Sequence, residues 1–167
     1  GILNKNANIY AEDIMYETDS TRYSIKLPDG NKIKIKSRLL GLHNIYNSLA
    51  AISVAYSQKI PSKMIEEYFT EAEAPRGRLE KIDLGQSYQV FVDYAHTENA
   101  IRNILDIANK ITKNRVILLF GLSGGLRDKS KRQAIGKAAQ ENSDIAIITS
   151  VDWYPSEPVE IILNQIS

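Results

Sequence analysis

The sequence predicts an α/β protein whose second half is built on a mainly parallel sheet. Two observations point there. From residue 79 onward, short apolar runs alternate with amphipathic helical patterns, the signature of βαβ units. Before that, residues 7–36 read as short strands and are followed by two helical stretches.

Taken in order, Tyr23 to Leu27 and Lys32 to Lys36 alternate apolar and polar residues around Pro28-Asp29-Gly30-Asn31, which is hairpin chemistry. The lysines at 32, 34 and 36 mark a solvated face. Gly41 breaks the chain before a helix expected from about His43 to Gln58, where Leu49, Ile52, Ser53 and Tyr56 recur at helical spacing. Pro61 opens a second helix, Ser62 to about Phe69, because proline is tolerated in a first turn. Composition then shifts at Glu71-Ala-Glu-Ala-Pro-Arg-Gly-Arg78, which places a domain boundary between residues 1–74 and 75–167. Strands are expected at 79–83 and 88–93, a helix at 98–111, and a strand at 115–120. A helix at about 129–141, a strand at 144–149 and a helix at 157–166 complete the pattern. In the helix at 98–111, Ile101, Ile104, Leu105, Ala108 and Ile111 form one apolar stripe.

Composition narrows the class. A net charge of +1 gives no field to draw nucleic acid or an anionic membrane. Without cysteine there is no disulfide framework, thiolate metal site or thiol nucleophile. The longest apolar runs are too short to cross a bilayer, and no signal peptide is visible, so residence in the cytoplasm is expected. The chain opens on Gly1 and stops directly after a helical pattern, and is read as a piece of something longer.

Four segments carry candidate chemistry. Val90 to Thr97 ends an apolar strand in an acid, an imidazole and a helix-capping hydroxyl. Strand ends of this kind bind ligands in open α/β sheets, and Asp93 can accept hydrogen bonds from a sugar diol. Thr97 as a helix cap with Asp93 merely ending the strand is the structural alternative. The loop Phe120-Gly-Leu-Ser-Gly-Gly-Leu-Arg-Asp-Lys-Ser-Lys-Arg132 allows close backbone approach at its glycines and offers charge at Arg127, Lys131 and Arg132. It fits neither a Walker A loop nor a dinucleotide fingerprint. Asn44 and Asn47, three apart on a helix start, share a face and can read a base edge, although Asn44 can equally be an N-cap. Arg78, between the two predicted domains, suits a phosphate. His43 and His96 are the only histidines, and neither has a partner at metal-ligand spacing.

In order, these segments resemble the Mur ligase family, ATP-dependent amino-acid ligases of peptidoglycan synthesis. Gly41-Leu-His-Asn-Ile-Tyr-Asn-Ser-Leu-Ala-Ala51 is similar to the family's Gly-x-Phe-Asn-x-x-Asn-x-x-Ala-Ala helix. Arg76-Gly77-Arg78-Leu79-Glu80 resembles its Pro-Gly-Arg-x-Glu linker, with Pro75 one residue early. Asp93-Tyr-Ala-His-Thr97 and the loop 120–132 are similar to the branch that adds the third peptide residue. The resemblance implies a Rossmann-like C-terminal domain at 75–167, without its last strands, preceded at 1–74 by the final strands and helices of a central ATPase-type domain.

It also implies roles. ATP would be met by Asn44 and Asn47 on its adenine side, by Arg78 at the phosphates, and by Asp93 at the ribose with His96 alongside. Arg127 would approach the carboxylate of an incoming amino acid, and Asp152 stands near the family's Asp. The partners would be a UDP-N-acetylmuramoyl peptide and an amino acid, with no nucleic acid or membrane, and the protein is expected to be monomeric. No catalytic residue and no magnesium ligand falls within these residues, so the chain alone is expected not to ligate. Thr149-Ser-Val-Asp-Trp-Tyr-Pro155 departs from the branch's Thr-Ser-Asp-Asn-Pro-Arg and lacks the Arg that marks diaminopimelate specificity, leaving lysine or another amino acid open. A non-catalytic nucleotide- or ligand-binding module, or a ligase of the folylpolyglutamate or cyanophycin type, is the alternative reading.

Overall fold

Strict alternation makes the first sheet. Along Lys32–Ser37 (β3) every second residue turns inward, with Ile33 and Ile35 buried and the three lysines exposed. Thr21–Lys26 (β2) does the same with Tyr23 and Ile25. The computed structural model describes residues 1–124, 128–151 and 157–166. Among these, β2 pairs antiparallel with both β3 and Tyr10–Tyr16 (β1), in the order β1-β2-β3. The predicted β2–β3 turn forms as read: Gly30 sits at φ +85° and the Asp29 carboxylate accepts from the Asn31 N–H at 3.0 Å. In β1 the pairing register shifts between Glu12 and Met15, with Asp13 at φ +56°, a bulge in an edge strand.

Two helices cover the inward face. Leu42–Ser57 (α1) contributes Ile45, Leu49 and Ile52, and Ser62–Glu71 (α2) contributes Ile65 and Phe69. With Tyr23, Ile25, Leu27, Ile33 and Ile35 they form one apolar core. At roughly 1.5–3 kcal/mol for each large apolar side chain removed from water, this cluster holds the sheet and helices together. Helix α2 also closes a sheet edge, because Glu66 accepts from the backbone N–H of Lys34 at 3.1 Å. Helix α1 ends in a Schellman motif: Ile60 N–H donates to Ala55 O and Lys59 N–H to Tyr56 O, with Lys59 at φ +60°.

Glu80–Ile82 (β4) and Val90–Val92 (β5) form a short antiparallel pair. The parallel pairing expected of the second half is carried by Ile117–Phe120 (β6) and Ile145–Ile148 (β7), joined through Lys131–Asn142 (α4). Glu98–Ile111 (α3) packs on the same core through Ile101 and Leu105, as its stripe predicts, and Val159–Ile166 (α5) adds Ile162 and Ile166. The opposite face of the β6–β7 pair leaves Ile117, Leu119, Ile145 and Ile147 exposed.

Two glycines are required by close approach. A Cβ on Gly121 would collide with the Thr149 carbonyl oxygen, and one on Gly136 would collide with that of Ile166. The first lets the chain after β6 run against the chain after β7, and the second lets α5 sit directly on α4. The chain divides into two compact units, Gly1–Asp93 and Tyr94–Ser167, so the β4–β5 pair is grouped with the first. No described helix is long and apolar enough to cross a membrane.

Candidate functional site

In the first unit the linker meets the end of β5, and the start of α1 lies within electrostatic reach of both. Pro75 O accepts from Arg78 N–H at 3.1 Å, closing a turn in which Gly77 takes φ +67°. The early proline therefore still enters a tight turn. Glu80 Oε2 accepts from Gly77 N–H at 2.8 Å, and Asp93 Oδ2 accepts from Leu79 N–H at 2.8 Å. Leu79 stands at φ +47°, a conformation costly for a side chain bearing a Cβ, and the Asp93 bond helps to hold it there. Asp93 is thus more than a strand end: one of its oxygens fixes the backbone beside Arg78.

Arg78 is exposed, and His43 on the first turn of α1 lies in the field of both Arg78 and Asp93. Partial burial of the His43 ring lowers its pKa from the ordinary value. The Asp93 carboxylate opposes that shift and the Arg78 guanidinium adds to it. Asn44 is not an N-cap. Gly41 takes that place at φ 94°, and Asn44 donates from its carboxamide to Leu40 O at 2.8 Å. Its Oδ1 accepts from Asn47 Nδ2 at 3.2 Å, so the two carboxamides do share a face and are linked to each other. The half-buried Asn44 orients the exposed Asn47.

The second unit begins with His96 and Thr97. His96 Nδ1 donates to Tyr94 O at 3.0 Å, which makes Nε2 the acceptor nitrogen of the neutral ring, and the Tyr94 and His96 rings meet edge on at 5.1 Å. Thr97 caps α3, its Oγ1 accepting from Ala100 N–H at 3.3 Å.

Arg127 and Asp152 lie outside the described residues. What surrounds them in sequence corrects one expectation. Arg132, read above as charge offered to a ligand, is 2% exposed. Its guanidinium donates to both oxygens of Glu157, at 2.8 and 3.0 Å, and also to Gln165 Oε1 and Ser123 O. Lys129 Nζ reaches the same Glu157 at 2.7 Å. Glu157 is itself buried, and the fork raises the Arg132 pKa further above its already high value. Lys131 pairs with Asp128 at 3.6 Å. The missed signal was in the periodicity. Arg132 is in register with Ile135, Ala138 and Ala139, the buried stripe of α4, and a cation on that stripe requires a buried acid. Among the described residues no three histidine or acidic side chains group as a metal site.

The family profile described as Mur ligase, glutamate ligase domain matches residues 77–167, and that of the Mur ligase middle domain matches residues 1–55. The chain belongs to the Mur ligase family. It is 37% identical over 160 residues to the UDP-N-acetylmuramoyl-L-alanyl-D-glutamate--2,6-diaminopimelate ligase of Syntrophomonas wolfei, covering 96% of this chain and 32% of that relative. It is 35% identical over 147 residues to the UDP-N-acetylmuramyl-tripeptide synthetase of a Roseiflexus species, covering 88% of this chain and 28% of that one. This Mur ligase chain therefore spans about a third of the curated relatives it matches. In fold it is similar to UDP-N-acetylmuramate-alanine ligase MurC from Thermotoga maritima, with a TM-score of 0.76 at 23% identity over 98% of this chain and 36% of that one. A folylpolyglutamate synthase of the same organism gives 0.75 at 16% identity, covering 96% and 37%. Both likenesses are to the shared architecture alone.

Proposed function

We propose that this chain is the nucleotide-holding and amino-acid-holding part of an ATP-dependent ligase that joins an amino acid to a UDP-N-acetylmuramoyl peptide. The observation that carries this reading is the convergence at His43, where the first turn of α1, the Arg78 linker and the Asp93 strand end come within one another's electrostatic reach.

The donor set suits a nucleotide. Asn47 is held by Asn44 and retains a donor and an acceptor for a base edge. Arg78 presents a guanidinium fork to phosphate oxygens, and Asp93 presents a carboxylate to a ribose diol. His96, exposed, would lie alongside the nucleotide. Arg127 would pair with the carboxylate of the amino acid, and Asp152 would be a further contact to that substrate. ATP would activate the peptide carboxylate as an acyl phosphate, and magnesium would be held by residues other than these. The chain's own task is to position groups and to set charge around the transferring phosphoryl.

The named relatives include a diaminopimelate ligase, and segment 149–155 here departs from the pattern that would select that substrate. We therefore place diaminopimelate and lysine as the first two amino acids to try. The test is the full-length protein with UDP-linked muramoyl dipeptide, ATP and a panel of amino acids, following ADP release and product mass. Ligation of at least one is expected, and ligation of none overturns the reading.

A further inference from the structure

We propose that Glu80 is a positioning residue for Arg78: with Asp93 it fixes the backbone turn from which the Arg78 side chain leaves, and so sets how firmly this chain grips nucleotide phosphate. The proposal rests on the reading above that Arg78 meets the phosphates of ATP.

Three consecutive backbone amides are held here, each by a different acceptor. Gly77 N–H donates to Glu80 Oε2 at 2.8 Å, Arg78 N–H to Pro75 O at 3.1 Å, and Leu79 N–H to Asp93 Oδ2 at 2.8 Å. Arg78 stands between two residues in the left-handed region, Gly77 at φ +67° and Leu79 at φ +47°. One rung of the β4–β5 pair delivers both carboxylates, because Glu80 is in register with Val92 and Asp93 follows directly. The Leu79 side chain is buried, which gives the turn an apolar anchor as well. On this fixed base Arg78 itself is exposed.

A turn that only had to join α2 to β4 would not need this arrangement. Glycine takes a positive φ at no steric cost, whereas leucine there is strained. Strain of that kind persists only where the surroundings over-determine it, and it gathers at sites that need a fixed geometry. The surroundings here are two carboxylates bonded to backbone amides, a stronger class of hydrogen bond than the neutral pair. Backbone dihedrals set the direction of the Cα–Cβ bond, so holding amides 77 and 79 narrows the region that the Arg78 guanidinium can sweep. A planar fork that binds phosphate oxygens in pairs gains from that narrowing more than a point charge would.

Variants of Glu80 separate the hydrogen bond from the charge. Glu80→Gln loses the charge and keeps an oxygen for Gly77 N–H, whereas Glu80→Asp keeps the charge on a stem shorter by one methylene. In the full-length protein, Glu80→Asp is expected to lower kcat/KM for ATP at least tenfold while KM for the amino acid stays within twofold. Glu80→Gln should stay within threefold of the unsubstituted protein in both. In an Arg78→Ala background, adding Glu80→Asp should change kcat/KM for ATP by less than twofold, because the effect passes through Arg78. An undiminished loss in that background, an equal loss in Glu80→Gln and Glu80→Asp, or no loss in Glu80→Asp overturns the proposal. The 167-residue chain supplies a readout that needs no ligation. Hydrogen exchange at the Gly77 amide is expected to be at least tenfold faster in Glu80→Asp than in Glu80→Gln, and equal rates overturn the positioning role. Should the unsubstituted full-length protein ligate no amino acid, the proposed function fails instead, and the exchange comparison alone decides whether Glu80 holds the turn.

Discussion

Asp93 in the first unit and Glu157 in the second are carboxylates that each tie one chain segment to another, but they do it in different surroundings. Asp93 is half-buried and accepts from the neutral backbone N–H of Leu79. Glu157 is buried and is engaged by two cations, Arg132 and Lys129. Asp93 stays within reach of solvent, as a group that meets a ligand must. A buried carboxylate matched to a guanidinium fork is committed to the fold. Position in the sequence does not separate the two, since both stand just beyond an apolar strand or just before a helix. Burial separates them.

The largest expected effect tests the committed carboxylate. Glu157→Ala would leave the buried Arg132 guanidinium without its main partner and should lower the unfolding free energy by about 3–5 kcal/mol. Thermal or denaturant unfolding of the chain checks this, and a loss under about 1 kcal/mol would erase the contrast with Asp93. Next comes Asp93→Ala, which removes the carboxylate that accepts from the Leu79 amide and should cost at least about 1 kcal/mol. In the full-length protein the same change should weaken ATP binding, measured by titration calorimetry, by more than its stability effect alone would suggest.

The smallest effect is a pH dependence. His43 has a folded-state pKa below its ordinary value of 6.5 because its ring is partly buried. Above that ordinary value the ring is neutral in both states and contributes nothing. As pH falls through 6.5 toward the folded pKa, the unfolded chain takes up the proton first, so stability declines and then levels off. His43→Gln should flatten this segment of the stability–pH curve. A curve that keeps its slope in the variant would assign the effect to other groups.

Much of this was legible in the chain itself. The β2–β3 hairpin followed from period-2 alternation and an Asp-Gly turn, and α3 from its stripe and Thr97 cap. Asn44 and Asn47 were rightly placed on one face, but the N-cap went to Gly41, because a glycine at φ 94° makes the entry to α1 without a side-chain cap. Arg132 was misread because a lysine- and arginine-rich helix start looks solvated, and only its register with Ile135 and Ala138 marks it as inward.

By itself, the sequence determined the element order, the strand and helix periods, and the four motifs that mark the Mur ligase family. These are local properties, written in spacing and turn chemistry. Tertiary structure alone decided which charges are used inward. Whether an arginine meets a ligand or a glutamate depends on what lies across from it, and Glu157, far along the chain from Arg132, comes opposite it only when α5 seats on the glycine of α4.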